Sequence, residues 1–333
     1  MTGETTHRRK LWLHAVLFLA TFFTTTVAGA VQAGVDFISD PRQLVAGLPF
    51  SATLMSILLV HEMGHYLMSR YYRVEATLPY FIPGPSFIGT FGAFIKMQSQ
   101  MPHRRALFDI GAAGPLAGFV LSVPAVVVGF RLSTIGPADP SGGISLGSSL
   151  LLTFLSKLTL GVVPDDVNIL LHPIGAAGWV GLFVTALNLL PAGQLDGGHV
   201  TYAMFGKRAV WLARLTLAAL ATLAITGLWS GWWVWALLIF FTGVRHPPPV
   251  DPDTPLDRKR KILGWVVLAI LAVTFIPTPF TISEADPPEE RRQPEGPGGL
   301  QRAGGREVFD ERPIELAPVF FDHHAPGGRA LDL

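Results

Sequence analysis

Long apolar runs separated by short polar connections occupy most of this 333-residue chain. A membrane-spanning helix needs about 20 predominantly apolar residues, and several of the runs reach this length. The pattern predicts seven spans, over residues 11–30, 50–68, 111–131, 173–190, 209–228, 232–244 and 262–282. We therefore expect an all-α polytopic membrane protein with about six to seven transmembrane helices.

One segment departs from helical periodicity. Residues 76–96 are rich in proline, glycine and aromatic residues, and positions 88–95 show partial alternation of apolar side chains. This composition favours a small membrane-associated β-hairpin or a re-entrant loop. The Gly/Ser-rich connection 132–171 contains an apolar piece, 150–163, which is too short to span and is expected to lie at the interface.

Both ends of the chain are polar. Residues 1–10 end in a basic cluster and are expected to stay in the cytoplasm. Such a start also fits a cleaved signal peptide, but the apolar run that follows exceeds the usual length of about 7–15 residues, which favours a retained anchor. Residues 283–333 are mostly Pro, Gly, Glu and Arg and are predicted to be disordered. The polytopic domain would thus cover residues 11–282.

The composition agrees with a membrane setting, because half of the residues are hydrophobic and only 15% are charged. A net charge of +1 provides no overall basic field of the kind that binds nucleic acid. The chain has no cysteine, so a zinc site would have to use imidazole and carboxylate ligands. Composition therefore narrows the metal chemistry before any motif is considered.

Basic clusters indicate how the spans are oriented. They lie at residues 8–10, 70–73 with 103–105, 207–208 and 258–261, and such clusters favour the cytoplasmic side. With this orientation the second and fourth predicted spans both run inward, so their cytoplasmic ends lie at similar depth. The short N-terminus favours a bacterial inner membrane over an organelle, with the site toward the cytoplasm.

The second span contains three ionisable side chains, His61, Glu62 and His65. Ionisable groups inside a membrane are costly unless they are paired, hydrated or metal-bound, and they mark functional sites. Residues four apart lie on one face of a helix, so His61 and His65 can both direct a ring nitrogen at one metal ion. Glu62 then has the position of the general base in an H-E-x-x-H zinc protease motif.

A third metal ligand must come from elsewhere in the chain. The sequence has no Glu between Glu75 and Glu284, so a downstream intramembrane Glu is unavailable. Most aspartates lie in loops on the opposite side, in a linker or just before a span, namely Asp109, Asp139, Asp165, Asp166, Asp251, Asp253 and Asp257. Asp196 remains, at the end of a membrane segment and beside two glycines. A helix-cap role for Asp196 and a competing ligand role for His199 stay open.

The two motifs together resemble those of the site-2 protease family, peptidase family M50. His61-Glu-Met-Gly-His65 is similar to the first motif, and Asn188-Leu-Leu-Pro191 followed by Leu195-Asp196-Gly197 is similar to the second. The resemblance implies an intramembrane zinc endopeptidase that cleaves single-span transmembrane proteins near the cytosolic face. It implies one Zn²⁺ held by His61, His65 and Asp196, with Glu62 as base, in a catalytic core of about residues 48–202.

The resemblance extends to residues that would meet the substrate. Gly114-Pro-Leu-Ala-Gly118 resembles the glycine-rich helix near the site in this family, where small residues also let helices approach closely. Residues 89–96, with Phe91 and Gly92, resemble its β element, whose edge would bind an extended substrate or merely plug the cavity. Asn188 would position the substrate or bridge two helices. The absence of a PDZ-like segment resembles the PDZ-less, chloroplast-type branch.

Two other functions compete with this hypothesis. A membrane transporter or scaffold would use the His/Glu/Asp cluster as an ion or proton site, but it would not need a Glu beside the first His together with a remote Asp-Gly. A zinc protease of the prenyl-protein-processing kind would need a downstream intramembrane Glu, which the chain lacks. Neither the natural substrate nor the oligomeric state is indicated by the residues.

Overall fold

The computed structural model describes residues 2–137, 143–164, 167–283 and 319–321, which form nine α-helices and seven strands. The helices are α1 Thr2–Gln32, α2 Leu48–Tyr71, α3 Arg104–Leu132, α4 Leu150–Leu160, α5 Pro173–Asn188, α6 Asp196–Phe205, α7 Ala209–Ile225, α8 Gly231–Thr242 and α9 Arg258–Thr274. The strands are β1 Tyr80–Pro83, β2 Thr90–Phe94, β3 Thr134–Pro137, β4 Gly143–Leu146, β5 Val167–Leu170, β6 Phe280–Ser283 and β7 Val319–Phe321.

The predicted count of six to seven spans is not confirmed. Among the described residues, four helical segments are long and apolar enough to cross a membrane: Leu11–Gln32, Pro41–Tyr71, Arg104–Leu132 and Asp196–Ile225. Helix α5, predicted as a span, has only 16 residues and is buried inside the bundle. Helix α9 ends at Thr274 because Pro277 and Pro279 follow it, and the predicted span over 262–282 closes with strand β6 instead.

Helix α3 lies at the centre of the bundle and packs against α2, α5 and α6. Small residues bring the backbones into contact, as the sequence predicted for the glycines at the start of this helix. A Cβ at Gly64 of α2 would come within 2.6 Å of the Ala113 carbonyl oxygen of α3. The absence of a side chain at Gly64 therefore allows the backbones of α2 and α3 to approach closely.

Strands β1 and β2 form the predicted hairpin. They pair antiparallel, with Tyr80 opposite Phe94. Helix α1 holds the hairpin through the Thr24 hydroxyl, which donates to the Gly89 carbonyl at 2.6 Å, and through the Gln32 amide, which donates to the Phe87 carbonyl at 2.9 Å. Strand β2 is paired on one side only within the part of the chain that the structure describes.

A five-stranded sheet, in the order β3-β5-β7-β4-β6, was not predicted. Three of its strands lie in the connection 132–171, and β7 lies in the tail that the sequence predicted to be disordered. Residues 319–321 of this tail form strand β7, and this short apolar run buries Phe321 against Phe130, with ring centroids 5.0 Å apart. Residues 284–318 and 322–333 lie outside the described residues, as do Asp139, Asp165 and Asp166.

An ion-pair network ties α9 to the ends of α2 and α3. Arg260 donates from Nε to Asp109 Oδ1 at 2.9 Å and from Nη2 to Asp109 Oδ2 at 2.6 Å, and it also contacts Asp257. Tyr72 donates its hydroxyl to Asp109 Oδ2 at 2.5 Å. Burial, together with this hydrogen bond, raises the pKa of Tyr72 to about 12. Asp109 is therefore engaged in structure and not available as a metal ligand.

Candidate metal centre

His61, His65 and Asp196 converge in the interior of the bundle. The Nε2 atoms of His61 and His65 are 3.2 Å apart, and Asp196 Oδ2 lies 3.4 Å from the first and 3.3 Å from the second. Both histidines are buried, and the Asp196 side chain is 16% exposed. About 130 residues separate the two helices along the chain, so the predicted convergence is a tertiary contact.

The three donor atoms fit a tetrahedral metal ion. With bonds of about 2.0–2.1 Å, a tetrahedral Zn²⁺ separates neighbouring ligand atoms by about 3.3 Å. The observed separations of 3.2, 3.3 and 3.4 Å are close to three edges of that tetrahedron. Among the described residues, the group of three His, Asp or Glu side chains that lie close enough together to hold a metal ion is His61, His65 and Asp196. Two imidazoles and a carboxylate match the preference of zinc for nitrogen and oxygen ligands.

The backbone of α3 orients His65. Its Nδ1–H donates to the Ile110 carbonyl at 2.7 Å, which leaves the Nε2 lone pair directed at the centre. This carbonyl belongs to the residue after Asp109, the partner of Arg260. The ion-pair network therefore lies one residue away from the group that orients a predicted ligand.

Three glycines of α3 make room for the side chains of the centre. A Cβ at Gly114 would overlap the His65 imidazole, one at Gly118 would lie 3.1 Å from His61 Nδ1, and one at Gly111 would lie 2.6 Å from the His199 Cβ. The structure places Gly114 and Gly118 against the histidines. The substrate-binding role that the resemblance implied for both glycines stays a prediction.

Asp196 is held at the N-terminus of α6 by a tight glycine turn. Gly193 has φ +53°, a left-handed conformation that favours glycine. A Cβ at Gly197 would overlap the Leu189 carbonyl, and Gly198 packs against the Gly193 carbonyl. The Asp-Gly-Gly sequence thus folds the chain back on itself and directs the carboxylate toward α2.

Glu62 is buried and lines a cavity of about 200 Å³ with the three predicted ligands. Ile95, one residue beyond β2, lines the same cavity. Residues 93–95 also line this cavity, so the end of β2 lies beside the centre. Phe91 and Gly92 are farther along the same strand and are not among the lining residues. Phe91 is 68% exposed.

Asn188 lies at the last position of α5 and lines the same cavity. Its Nδ2 is 3.4 Å from His61 Nε2, so the amide stands at the edge of the centre. An amide in this position can donate a hydrogen bond into the cavity.

His199 is hydrogen-bonded to a histidine that the sequence reasoning missed. His199 Nδ1 is 2.5 Å from His246 Nε2, and His246 Nδ1 is 2.5 Å from the Pro247 carbonyl. Because that carbonyl requires an N–H from His246, its Nε2 accepts from His199 Nδ1–H. His199 lines the metal cavity without belonging to the ligand group. His246 follows α8 with no motif around it, so no local signal marked it.

Fold and centre together define a membrane protein with four helical segments that could span a bilayer, among the residues that the structure describes, and a His-His-Asp group that could hold a metal ion. Residues 49–226, more than half of the chain, match peptidase family M50, and the chain belongs to that family. It is similar to two proteins of Arabidopsis thaliana named probable zinc metalloprotease, chloroplastic. It is 31% identical to EGY1 over 80% of this chain and 54% of the relative, and 32% identical to EGY2 over 82% and 50%. Rice EGY1 is 35% identical over 80% and 51%. The chain spans about half the length of these relatives.

Proposed function

We propose that this chain is a zinc endopeptidase that hydrolyses peptide bonds of single-span membrane proteins, with His61, His65 and Asp196 as the metal ligands. The observation that carries the proposal is the set of three donor separations, which fits a tetrahedral zinc. The membership in family M50 and the names of the relatives support the same activity. A transporter or scaffold is not favoured, because these names and the H-E-x-x-H motif all indicate a protease.

Bound in this centre, Zn²⁺ supplies Lewis-acid chemistry, polarising a carbonyl and making water more acidic. Glu62 lines the cavity beside the ligands. Its carboxylate accepts a proton from the water that attacks the peptide carbonyl, and it then donates this proton to the leaving amine. Asn188 donates its amide to the peptide carbonyl and orients it beside His61.

A transmembrane helix hides its peptide bonds in internal hydrogen bonds, so a substrate must unwind before it is cleaved. The unpaired side of β2 provides backbone groups that would pair with such an extended segment. We place Phe91 and Gly92 on this docking edge. Because β2 leads directly to Ile95 at the cavity, a segment paired with the strand would extend toward Glu62.

The proposed orientation places the basic end of the bundle, with Arg70, Arg104 and Lys207, on the cytoplasmic side of a bacterial inner membrane. His65 lies six residues before the end of α2 at Tyr71, so cleavage would occur near that face. The relatives are named chloroplastic, so the alternative to a bacterial inner membrane is an organellar membrane.

The test uses purified protein in liposomes with a panel of single-span substrates. Wild type should cleave at least one substrate, and Glu62→Gln should lower the rate by about 10²–10⁴-fold while zinc content stays near one per chain. The exposed Glu75→Gln is the matched control and should cleave normally. Unchanged cleavage in Glu62→Gln would remove the proposed base, whereas zinc-free wild type with full activity would remove the metal mechanism.

A further inference from the structure

A second cavity, of about 320 Å³, lies between α6, α7 and the segment after α8. Its volume is within the range of about 300–1,000 Å³ that is typical of ligand pockets. Apolar side chains form one part of it, namely Val210, Ala213 and Val244. The proposed protease chemistry does not use this cavity.

Three exposed cationic residues line this cavity, Lys207, Arg214 and Arg245. Among the residues that the structure describes, none that lines the cavity is acidic. Of the ion pairs formed by the described residues, none includes any of the three. Arg214 is held over the Trp211 ring, 4.7 Å from the ring centroid, so one guanidinium is already oriented. The cavity therefore combines a concentrated positive charge with an apolar interior.

The position of the cavity in the bundle favours a lipid over a dissolved anion as its ligand. Trp211 and Leu215 of α7 are each 66% exposed, as expected for side chains that face lipid. Lys207 and Arg208 form one of the basic clusters that indicate the cytoplasmic end of the bundle. A ligand at this place would have its charge at headgroup level and its apolar part beside a lipid-facing helix.

We propose that this cavity binds an anionic phospholipid, with the phosphate held by Lys207, Arg214 and Arg245 and the start of an acyl chain along Val210 and Ala213. This proposal requires that the chain is embedded in a membrane, but it does not require that the chain is a protease. It shares a wall with the metal centre, because His246 lines it and hydrogen-bonds His199, and Gly198 lines it two residues after Asp196. A bound lipid would therefore contact the turn that carries a metal ligand.

The experiment measures binding of a fluorescent phosphatidylglycerol to the full chain in phosphatidylcholine nanodiscs. Each cation near a membrane surface strengthens such binding about fivefold, so Arg214→Gln should weaken it about fivefold and the triple variant Lys207→Gln/Arg214→Gln/Arg245→Gln about a hundredfold. The control is Arg70→Gln/Arg208→Gln/Lys261→Gln, which removes the same charge from exposed residues that do not line the cavity. Zinc content verifies that each variant is folded.

Further arms test the ligand class. Val210→Trp should weaken lipid binding at unchanged charge, because the indole would fill the apolar part. Glycerol 3-phosphate and inorganic phosphate should not displace the lipid at equal concentration. The proposal is overturned if the triple variant binds like wild type, if the control variant loses as much, if Val210→Trp has no effect, or if either soluble phosphate competes as well as the lipid.

Discussion

Gly114 of α3 lies so close to His65 of α2 that a methyl group on it would overlap the imidazole ring. The ring cannot move away freely, because its Nδ1 is bound to the Ile110 carbonyl of the same helix α3. Gly114→Ala should therefore rotate the ring or separate the two helices. Since changes to groups that orient metal ligands cost about 10–100-fold in metal affinity, we expect a zinc affinity at least about tenfold lower.

Competition with a fluorescent chelator would measure this loss in Gly114→Ala. The matched control is Gly136→Ala, at a position where an added Cβ meets nothing within 4 Å. The control should bind zinc like wild type. An unchanged affinity in both variants would show that α3 does not hold His65 in place.

Asp196 and His199 should behave differently although they lie one helical turn apart. Asp196→Ala removes one of the three donor atoms and should reduce zinc to well below one ion per chain, as should His61→Ala. His199→Ala leaves the donor group intact and should retain about one zinc while its hydrogen bond to His246 is lost. Elemental analysis of the purified variants decides the matter. If only His199→Ala lost zinc, His199 would be the third ligand and Asp196 would not.

The Arg260–Asp109 pair should contribute measurably to stability. The guanidinium makes two hydrogen bonds to the carboxylate, but the two side chains are 28% and 16% exposed, so solvent screens part of the attraction. A double-mutant cycle with Arg260→Gln and Asp109→Asn should give a coupling free energy of about 1–2 kcal/mol in unfolding from mixed micelles. Lys259→Gln, at an exposed neighbour, should leave the free energy of unfolding unchanged, and a coupling near zero would mean that the network does not stabilise α9.

Tyr72 should make stability sensitive to alkaline pH. Its pKa is about 12 in the folded chain, against about 10 in an unfolded one, so the folded state holds the phenolic proton more tightly. This contribution is complete below pH 10 and is lost as the pH rises toward 12. Between pH 9 and 11 the thermal midpoint of wild type should fall more steeply than that of Tyr72→Phe. Tyr71→Phe, at a side chain that is 75% exposed, should follow wild type.

Local pattern was sufficient to predict much of the centre. His61, Glu62 and His65 follow from helical spacing inside an apolar run, and Asp196 follows from elimination and from the resemblance to the second motif. The hairpin was also predicted, since glycine, proline and partial alternation are local signals. These features share one property: the residues that specify them are close together in the chain.

Other features could not be predicted because they join distant segments without a local signal. His246 reaches His199 across 47 residues, and Arg260 reaches Asp109 across 151. The five-stranded sheet combines strands of four residues or fewer from three parts of the chain. The predicted count of spans is not confirmed for a related reason, because hydropathy does not distinguish the buried helix α5 from one that crosses lipid.

The sequence by itself determined the membrane setting, the helical clamp of His61 and His65, and the limitation to nitrogen and oxygen ligands. Helical period, apolar run length and the absence of cysteine each act over a few residues or over the whole composition. Only the tertiary structure decided that Asp196 completes a triangle with edges of 3.2 to 3.4 Å, and that glycines of α3 make the space for it. Such distances depend on how closely helix backbones pack, and that closeness arises from pairs of small residues that meet only in the folded chain.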